Sequence, residues 1–387
     1  MAKEIIKDKE KAREIFFETD RNILLYGGEE VLNELLKSRK GHKQTLICAG
    51  TEKLAVIRDC IWLDEVLKMD SETIEKVVAC CDLMVLYGID RISAWELEKL
   101  CTARNLYNRK LRLIFVGDMK TALVCRKIDF KTAAMTPFWR SLDLMQIDLR
   151  EPNKDADFQK WLDSLRDGST AMLKDINDYC YVQDDGDPPV RLYGRSYKAE
   201  KHNQREMQHL PNPKHTYTAF IDGDMPENAY PMPAEVTFAC NMPVMVTASP
   251  EGDDVGRVFR VAAPVVYNGT PGKETVRTDD NKHRGRYKWY KRRLKCLTDE
   301  FDDSYLVYEK VGSFEQMPLI PAYALDLNSS YEGTLEHLLI DPTTTMEGEL
   351  AALFSRCSDP EGLYLVRPIK KEDLKFSKAN LDSLNNS

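Results

Sequence analysis

Two adjacent glycines, Gly27 and Gly28, lie between a short apolar run and an amphipathic helical pattern that starts at Glu29. Strand, glycine turn and helix are the plan of a phosphate-binding loop, whose backbone N–H groups and lysine cradle phosphate oxygens. That loop needs the pattern G-x-x-x-x-G-K-[ST], but no lysine follows the glycines here, and Glu29 and Glu30 occupy the helix start. Carboxylates stabilise a helix N-terminus by about 0.3–1 kcal/mol and repel phosphate. The residues therefore predict a turn that has lost its nucleotide.

A second candidate site is the basic and aromatic segment KHRGRYKWYKRRLK, residues 282–295, which contains no acid. As a strand it would interleave cations with rings, so that phosphates meet the cations and bases stack on the rings of a single-strand binder. The alternative, which the sequence leaves open, is a solvated basic strand whose rings belong to a core. The candidate nucleic-acid contacts here are Arg284, Arg286, Lys288, Trp289, Tyr290, Arg292 and Arg293.

Composition limits the class of protein. A net charge of −8 over 387 residues argues against general electrostatic binding to nucleic acid, so such binding needs a local patch. The ten cysteines form no C-x-x-C pair and show no metal-ligand spacing with the six histidines, which predicts a reduced, cytoplasmic protein without a metal site. The absence of an apolar run near 18 residues and of a signal sequence predicts no membrane association.

Apolar runs alternate with helical patterns in residues 1–150, which predicts a parallel α/β sheet with helices on both faces. Strands are expected at residues 23–25, 44–50, 82–86, 111–118 and 142–149. Helices are expected at residues 3–19, 51–78 and 94–103. Ligands of such sheets bind beyond the carboxyl ends of the strands. Those ends carry Gly27, Gly28, Thr51, Tyr87, Gly88, Gly117 and Asp118.

A helical segment and linker at residues 151–189 end in a polar Asp/Gly/Pro-rich stretch that marks a domain boundary. The second unit, residues 190–387, begins with a strand at 190–193 and a helix at 198–209. Its other patterns are proline-rich turns at 211–233, short strands from 234 to 266, a helix at 346–357 and a strand at 363–369.

The order of these segments resembles the RecD-like and PIF-type DNA helicases of superfamily one. The resemblance is carried by TPFWRSLDLMQIDLREPNKDADFQKWLDSLRDG, PPVRLYGRSYKAEKHNQREMQHLP, the run from Glu235 to Gly272, MPLIPAYALDLNSSYEGTLEHLLID and LAALFSRCSDPEGLYLVRPI. It implies two RecA-like domains of the P-loop NTPase fold. It also implies that residues 272–311 form a small SH3-like β insertion in the second domain.

The resemblance also implies that the catalytic motifs are degenerate. The positions of the family's Mg²⁺-linked acid pair, phosphate-sensing glutamine, motif arginine and penultimate motif fall on Tyr87 and Gly88, Thr121, Lys154, and Asn328 to Glu332. The remnants of the nucleotide site are Gly27, Gly28, Gly117, Asp118 and Arg356. We favour structural roles for Asp118, as a turn cap, and for Arg356, paired with Asp359 or Glu361, over catalytic ones.

Three further residues, Thr51, Asn203 and Asn268, match positions in or near DNA-contacting motifs, and each also suits a turn or helix cap. The sequence as a whole predicts a helicase-like pseudoenzyme that does not hydrolyse ATP and needs no cofactor. It would act as a module that binds single-stranded nucleic acid or a protein partner. The alternative is an active ATP-dependent DNA helicase with aberrant motifs, for which ATP and Mg²⁺ would be the cofactors.

Overall fold

The first domain is built on a six-stranded parallel sheet in the order β3-β2-β4-β5-β1-β6. The strands are β1 (Ile23–Tyr26), β2 (Thr45–Ala49), β3 (Ile61–Trp62), β4 (Leu83–Tyr87), β5 (Arg112–Val116) and β6 (Met145–Asp148). Every residue of β1, β4 and β5 is buried, as strands covered on both faces require. The computed structural model describes residues 5–39, 44–119, 131–150, 155–180, 190–210, 213–250, 252, 254–267, 273–300, 304–327 and 334–376.

Helices cover both faces of this sheet. They are α1 (Lys9–Glu18), α2 (Glu29–Ser38), α3 (Glu52–Ile57), α4 (Leu63–Leu67), α5 (Ser71–Cys80), α6 (Ala94–Tyr107) and α7 (Pro137–Ser141). The α/β fold class and the five predicted strands are confirmed. The expectation of a mostly helical stretch at residues 51–78 was incomplete, because it contains the short edge strand β3.

Two helices predicted as a linker pack with the second half of the chain. They are α8 (Ala156–Arg166) and α9 (Leu173–Cys180), and they contribute Phe158, Trp161 and Ile176 to the core of the second domain. The helical segment predicted within residues 151–189 is broken near Gly168, whose φ of 69° lies in the left-handed region that favours glycine.

The second domain has a smaller parallel sheet in the order β18-β7-β19-β20. Its elements are β7 (Val190–Tyr193), α10 (Ser196–Gln208), β18 (Ala324–Asp326), β19 (Leu338–Ile340), α11 (Glu349–Phe354) and β20 (Leu363–Leu365). Between α10 and β18 the chain forms antiparallel sheets. Their strands are β8 (Lys214–Thr218), β9 (Phe220–Gly223), β10 (Glu235–Ala239), β11 (Pro243–Val246), β12 (Val258–Val266), β13 (Thr275–Thr278), β14 (His283–Arg284), β15 (Tyr287–Thr298), β16 (Ser304–Gln316) and β17 (Leu319–Pro321).

The antiparallel region differs from the expectation in two places. The proline-rich stretch at 211–233 contains the strands β8 and β9, and the predicted insertion at 272–311 continues to Gln316 in one long hairpin, β15–β16. This interdomain hairpin reaches the first domain, where Leu294 and Leu306 join the core beneath the six-stranded sheet. The two domains are therefore joined by a shared apolar contact as well as by the chain.

Candidate functional site

The glycine turn at the carboxyl end of β1 is packed against the end of β6. Gly27 and Gly28 both have a φ of 64°, so both need glycine's freedom at positive φ. A Cβ added at Gly27 would lie 2.6 Å from Cγ of Arg150, and one at Gly28 would lie 2.3 Å from Cβ of Leu149. The side chains that follow β6 thus occupy the space beside the turn.

The first acidic residue of α2 has a cationic partner. The Arg58 guanidinium donates to both carboxylate oxygens of Glu29, over 2.7 and 3.0 Å. The same guanidinium lies over the Tyr87 ring, 4.8 Å from its centroid. Glu29 begins the helix after the glycines, where the sequence predicts no loop lysine, and Tyr87 stands where the resemblance places a Mg²⁺-linked acid. One arginine, which the sequence did not single out, joins these two replaced positions.

Asp118, the surviving acid of the next strand, is neutralised by two arginines. Arg150 donates to it over 2.8 Å, and Nη2 of Arg166 lies 3.2 Å from the same oxygen. Burial lowers the pKa of Arg150, but its hydrogen bonds to Asp148 and the charge of Asp118 outweigh burial, so the pKa is raised overall. Since Arg166 ends α8, its ion pair with Asp118 links the second domain to the first. The turn-cap role that the sequence predicts for Asp118 stays a prediction beside these two ion pairs.

Asp90, which the sequence did not single out, lies at the same sheet edge. It follows Gly88, whose φ is 73°, and it is buried beside Gly117, where an added Cβ would meet its Oδ1 at 2.7 Å. Nε of Arg91 donates to its other oxygen over 3.1 Å. The available signal was a glycine directly after an apolar strand with an acid two residues later.

The described residues at this edge differ from those that usually hold a Mg²⁺-nucleotide. Phosphate oxygens need a lysine and open N–H groups, but a carboxylate, Glu29, begins the helix and the end of β6 lies beside the glycines. Asp118, the carboxylate that could face a metal, is held by Arg150 and Arg166. No cluster of three or more metal-ligating side chains occurs in the part of the chain that the structure describes.

Several predicted residues have local roles or lie outside the described ranges. Thr51 caps α3 by accepting from the Leu54 N–H, over 3.2 Å. Asn203 fastens α10 to β18 through both amide atoms, each 2.8 Å from the backbone of Ala324. Arg356 follows α11, and the carboxylate of Asp359 accepts from the backbone of Glu361. Outside the described residues lie Thr121, Lys154, Asn268 and the segment Asn328 to Glu332.

Most cations of the basic segment have partners within the chain. Arg284 is buried against Asp254 and Asp280. Arg286 donates to the backbone carbonyl of Thr218 over 2.9 Å and lies over the Phe220 ring. These two side chains hold the antiparallel sheets together.

The next cations fasten the interdomain hairpin to the first domain. Arg292 forms two hydrogen bonds of 2.6 Å with Asp59, and Nζ of Lys291 lies 2.8 Å from Glu52. Arg293 pairs with Asp224 of the second domain over 2.7 Å and lies 3.7 Å from Glu65 of the first. The sequence assigned Arg292 and Arg293 to nucleic acid, whereas here they carry interdomain ion pairs.

The aromatic residues of the segment divide between core and surface. Trp289 is buried against Tyr287 and Phe314, as in the alternative that the sequence left open. Tyr290 lies on the other face of the strand, with Nζ of Lys310 3.5 Å and Nζ of Lys288 5.8 Å from its ring centroid. Lys288, Tyr290 and Lys310 form a small exposed patch, called the outer patch below.

A cavity of about 690 Å³ lies between the two domains. Thr51, Lys53 and Arg91 line it from the first domain, and Tyr230 and Trp289 are among the residues that line it from the second. Lys53 makes no hydrogen bond or ion pair within the described part of the chain. Burial lowers the pKa of Lys53, while the charge of Asp326 across the cavity opposes that shift. The cavity thus presents an ammonium with no ion-pair partner among the described residues, which the sequence did not identify.

Solved structures that superpose on 98% of this chain identify its fold. Pif1 from Bacteroides sp. in complex with ADP-AlF4 superposes with a TM-score of 0.78 at 16% identity, over 98% of this chain and 96% of that one. Pif1 from Candida albicans superposes with a TM-score of 0.69 at 17% identity, over 98% and 99%. This chain has the Pif1 helicase fold. Bacteroides Pif1 bound to single-stranded DNA also has the fold, with a TM-score of 0.61 at 17% identity, over 98% and 96%.

The relationship to Pif1 helicases extends to the sequence. The ATP-dependent DNA helicase Pif1 of Bdellovibrio bacteriovorus is 24% identical over 197 residues. That match covers 49% of this chain and 42% of the relative, so it spans less than half the length of the Bdellovibrio Pif1. No family model matches the chain. The PIF-type resemblance and the α/β fold that it implied are confirmed.

Among the described helices, none has the length and apolar character that crossing a bilayer demands.

Proposed function

We propose that this chain is a helicase-fold protein that binds single-stranded DNA between its two domains and does not hydrolyse ATP. The DNA-binding part of this proposal rests on the interdomain cavity and on Lys53, whose ammonium has no ion-pair partner among the described residues. Similarity to a Bacteroides Pif1 crystallised with single-stranded DNA supports the choice of ligand.

The cavity offers the two kinds of contact that a single strand uses. The Lys53 ammonium is desolvated without an ion-pair partner among the described residues, so an entering phosphate would supply the missing counter-charge. Tyr230 and the apolar residues around it provide surfaces against which bases pack. Since stacking depends little on base identity, we expect binding with weak sequence preference.

Salt dependence tests this assignment. With one phosphate neutralised by Lys53, the logarithm of the association constant should fall with the logarithm of salt at a slope of about −0.7. Fluorescence anisotropy of a labelled oligothymidylate between roughly 50 and 200 mM salt measures the slope. Lys53→Met should flatten it and weaken binding. Lys288→Met on the outer patch is the matched control and should change neither.

The opposite response of the two variants would refute the interdomain cavity as the binding site. If Lys288→Met flattens the slope and Lys53→Met does not, the strand binds the outer patch. If the oligothymidylate does not bind at any salt concentration, the protein-interaction alternative replaces the DNA proposal.

The second half, the lack of ATP hydrolysis, rests on the carboxyl edge of the first sheet. Phosphoryl transfer needs a positioned lysine and Mg²⁺. The proposal is supported by Glu29, which is paired with Arg58 at the helix start, and by Tyr87, which stands where the resemblance puts a Mg²⁺-linked acid. An active ATP-dependent helicase is the second candidate, because the Bdellovibrio relative is named as one and a similar Pif1 was crystallised with ADP-AlF4. For that candidate ATP and Mg²⁺ would be the cofactors.

Calorimetric titration with Mg-ATP separates the two candidates. The proposal expects no heat of binding and no phosphate release with or without single-stranded DNA. Saturable binding together with DNA-stimulated phosphate release would establish the active helicase. Arg150→Ala is informative in either case, because it removes the guanidinium that lies beside Gly27 and pairs with Asp118.

A further inference from the structure

The interdomain hairpin places one cysteine of the second domain beside a cysteine of the first. Cys80 is the last residue of α5, and Cys296 lies on β15, which packs against that helix. The Cys80 thiol donates to the Val77 carbonyl over 3.3 Å. The Cys80 and Cys296 thiols are close enough that each shifts the pKa of the other, and both residues are partly exposed. A cavity of about 720 Å³ lined by Cys80, Cys81 and Ser304 opens beside the helix end, so small molecules can reach Cys80.

The two thiols differ in reactivity. The hydrogen bond from Cys81, and after it that from Cys296, lowers the pKa of Cys80 to about 7 against the opposing effect of burial. Burial, and then the neighbouring charge of Cys80, raises the pKa of Cys296 to about 11. Cys80 is therefore partly ionised to the thiolate near neutral pH, and Cys296 keeps its proton. A reactive thiolate beside a second thiol is the arrangement of a redox-sensitive pair.

We propose that Cys80 and Cys296 form a redox-sensitive disulfide that fixes the interdomain hairpin to the first domain. The oxidant is a low-molecular-weight disulfide such as oxidised glutathione. The Cys80 thiolate attacks one of its sulfurs, the glutathione S–S bond breaks, and one glutathione leaves as a thiolate that takes a proton from solvent. Cys296 then loses its proton to solvent and attacks Sγ of Cys80, which releases the second glutathione. Two protein thiols are oxidised, and one glutathione disulfide is reduced to two thiols.

The bond would act where the two domains already meet. The hairpin is fastened by reversible contacts, the Arg292–Asp59 ion pair and the packing of Leu294 and Leu306. The same strand carries Trp289 into the lining of the interdomain cavity. A covalent bond at Cys296 therefore keeps that wall of the cavity in place. The effect of this disulfide on DNA binding rests on the proposed function: oxidation should slow the entry of a single strand into the interdomain cavity.

The first experiment tests the bond itself and needs no DNA. The full chain is equilibrated with reduced and oxidised glutathione, the remaining thiols are alkylated, and tryptic peptides are mapped by mass spectrometry. The proposal expects a peptide that joins Cys80 to Cys296, and a Tm raised by about 5 °C over the reduced protein. Cys296→Ser should abolish both, and Cys240→Ser, which removes an exposed thiol elsewhere, should preserve both.

Two results would overturn the proposal. In one, Cys80 ends as a mixed disulfide with glutathione and is never joined to Cys296. In the other, a linkage between Cys80 and Cys81 forms instead, although Cys81 is buried and its pKa is raised. Because these outcomes are read on the wild-type chain, a variant that fails to fold does not obscure them.

The second experiment measures the association rate of a labelled oligothymidylate with the reduced and oxidised protein. The expected result is a rate about tenfold lower after oxidation, restored by dithiothreitol and absent in Cys296→Ser. Equal rates in a protein whose disulfide has been mapped would overturn the regulatory role and leave the bond standing. A reduced protein that binds no DNA would refute the proposed function and not the disulfide.

Discussion

Tyr308 on the interdomain hairpin completes the hydrogen bonding of a strand in the other domain. Its hydroxyl accepts from the Ile47 N–H over 2.9 Å and donates to the Thr45 carbonyl over 3.0 Å. Both groups lie on β2 before the point where the short β3 begins to pair, at Cys48. Burial raises the pKa of Tyr308 well above its usual range, which is consistent with an enclosed hydroxyl. Tyr308→Phe therefore tests whether the hairpin is docked in solution.

The expected loss follows from the two backbone groups left without a partner. Each unsatisfied buried group costs about 1–3 kcal/mol, and partial access to water favours the lower half of that range, so the sum is about 2–4 kcal/mol. For a domain of this size that lowers Tm by roughly 5–10 °C. Differential scanning calorimetry measures the shift. Hydrogen exchange of the peptide covering residues 44–50 should show faster exchange at the Ile47 amide.

Tyr290→Phe is the matched control, because it removes a hydroxyl from the same hairpin that has no hydrogen bond among the described residues. We expect it to change stability by less than about 0.5 kcal/mol. If Tyr308→Phe and Tyr290→Phe give the same Tm and the same exchange at Ile47, the hairpin is not docked on the first domain and the shared core is wrong.

Two further predictions concern charged groups. Lys53→Met removes a desolvated ammonium and should raise the free energy of unfolding by about 1 kcal/mol at pH 7, measured by urea denaturation. Because burial lowers the pKa of Lys53 from its usual 10.5, the wild type gains stability as pH rises through that lowered pKa, and the advantage of Lys53→Met should shrink there. An advantage that grows with pH would contradict this. Asp254→Asn should lower the free energy of unfolding by about 3 kcal/mol at pH 7, since it leaves Arg284 buried without that partner. The hydrogen bond from Lys282 lowers the pKa of Asp254 from 3.8. The stabilisation that Asp254 provides is therefore present above pH 3.8 and is lost as pH falls through the lowered pKa. A difference in stability between Asp254→Asn and wild type that persists below the lowered pKa would refute the ion-pair account.

Much of the fold could be predicted from the sequence because its signals are local. The strand before Gly27, the turn and the helix from Glu29 to Ser38 follow from apolar spacing, glycine at positive φ and acidic residues in the first helical turn. The same reasoning located all the first-domain strands except β3, which is two residues long and pairs at two positions. A strand that short leaves too few residues for a periodic pattern.

What the sequence by itself determined about the candidate site was the absence of a phosphate-loop lysine and the presence of Glu29 at the helix start. Only the tertiary structure showed what those residues contact. Glu29 meets Arg58 across 29 positions, and Arg292 meets Asp59 across 233. A cationic residue has the same sequence pattern whether it is exposed to solvent, contacts DNA or pairs with a carboxylate. The role of such a cation depends on which distant segments pack against it, because the strength of an ion pair depends on the distance between the charges and on their burial. The spacing of neighbouring residues in the sequence predicts neither.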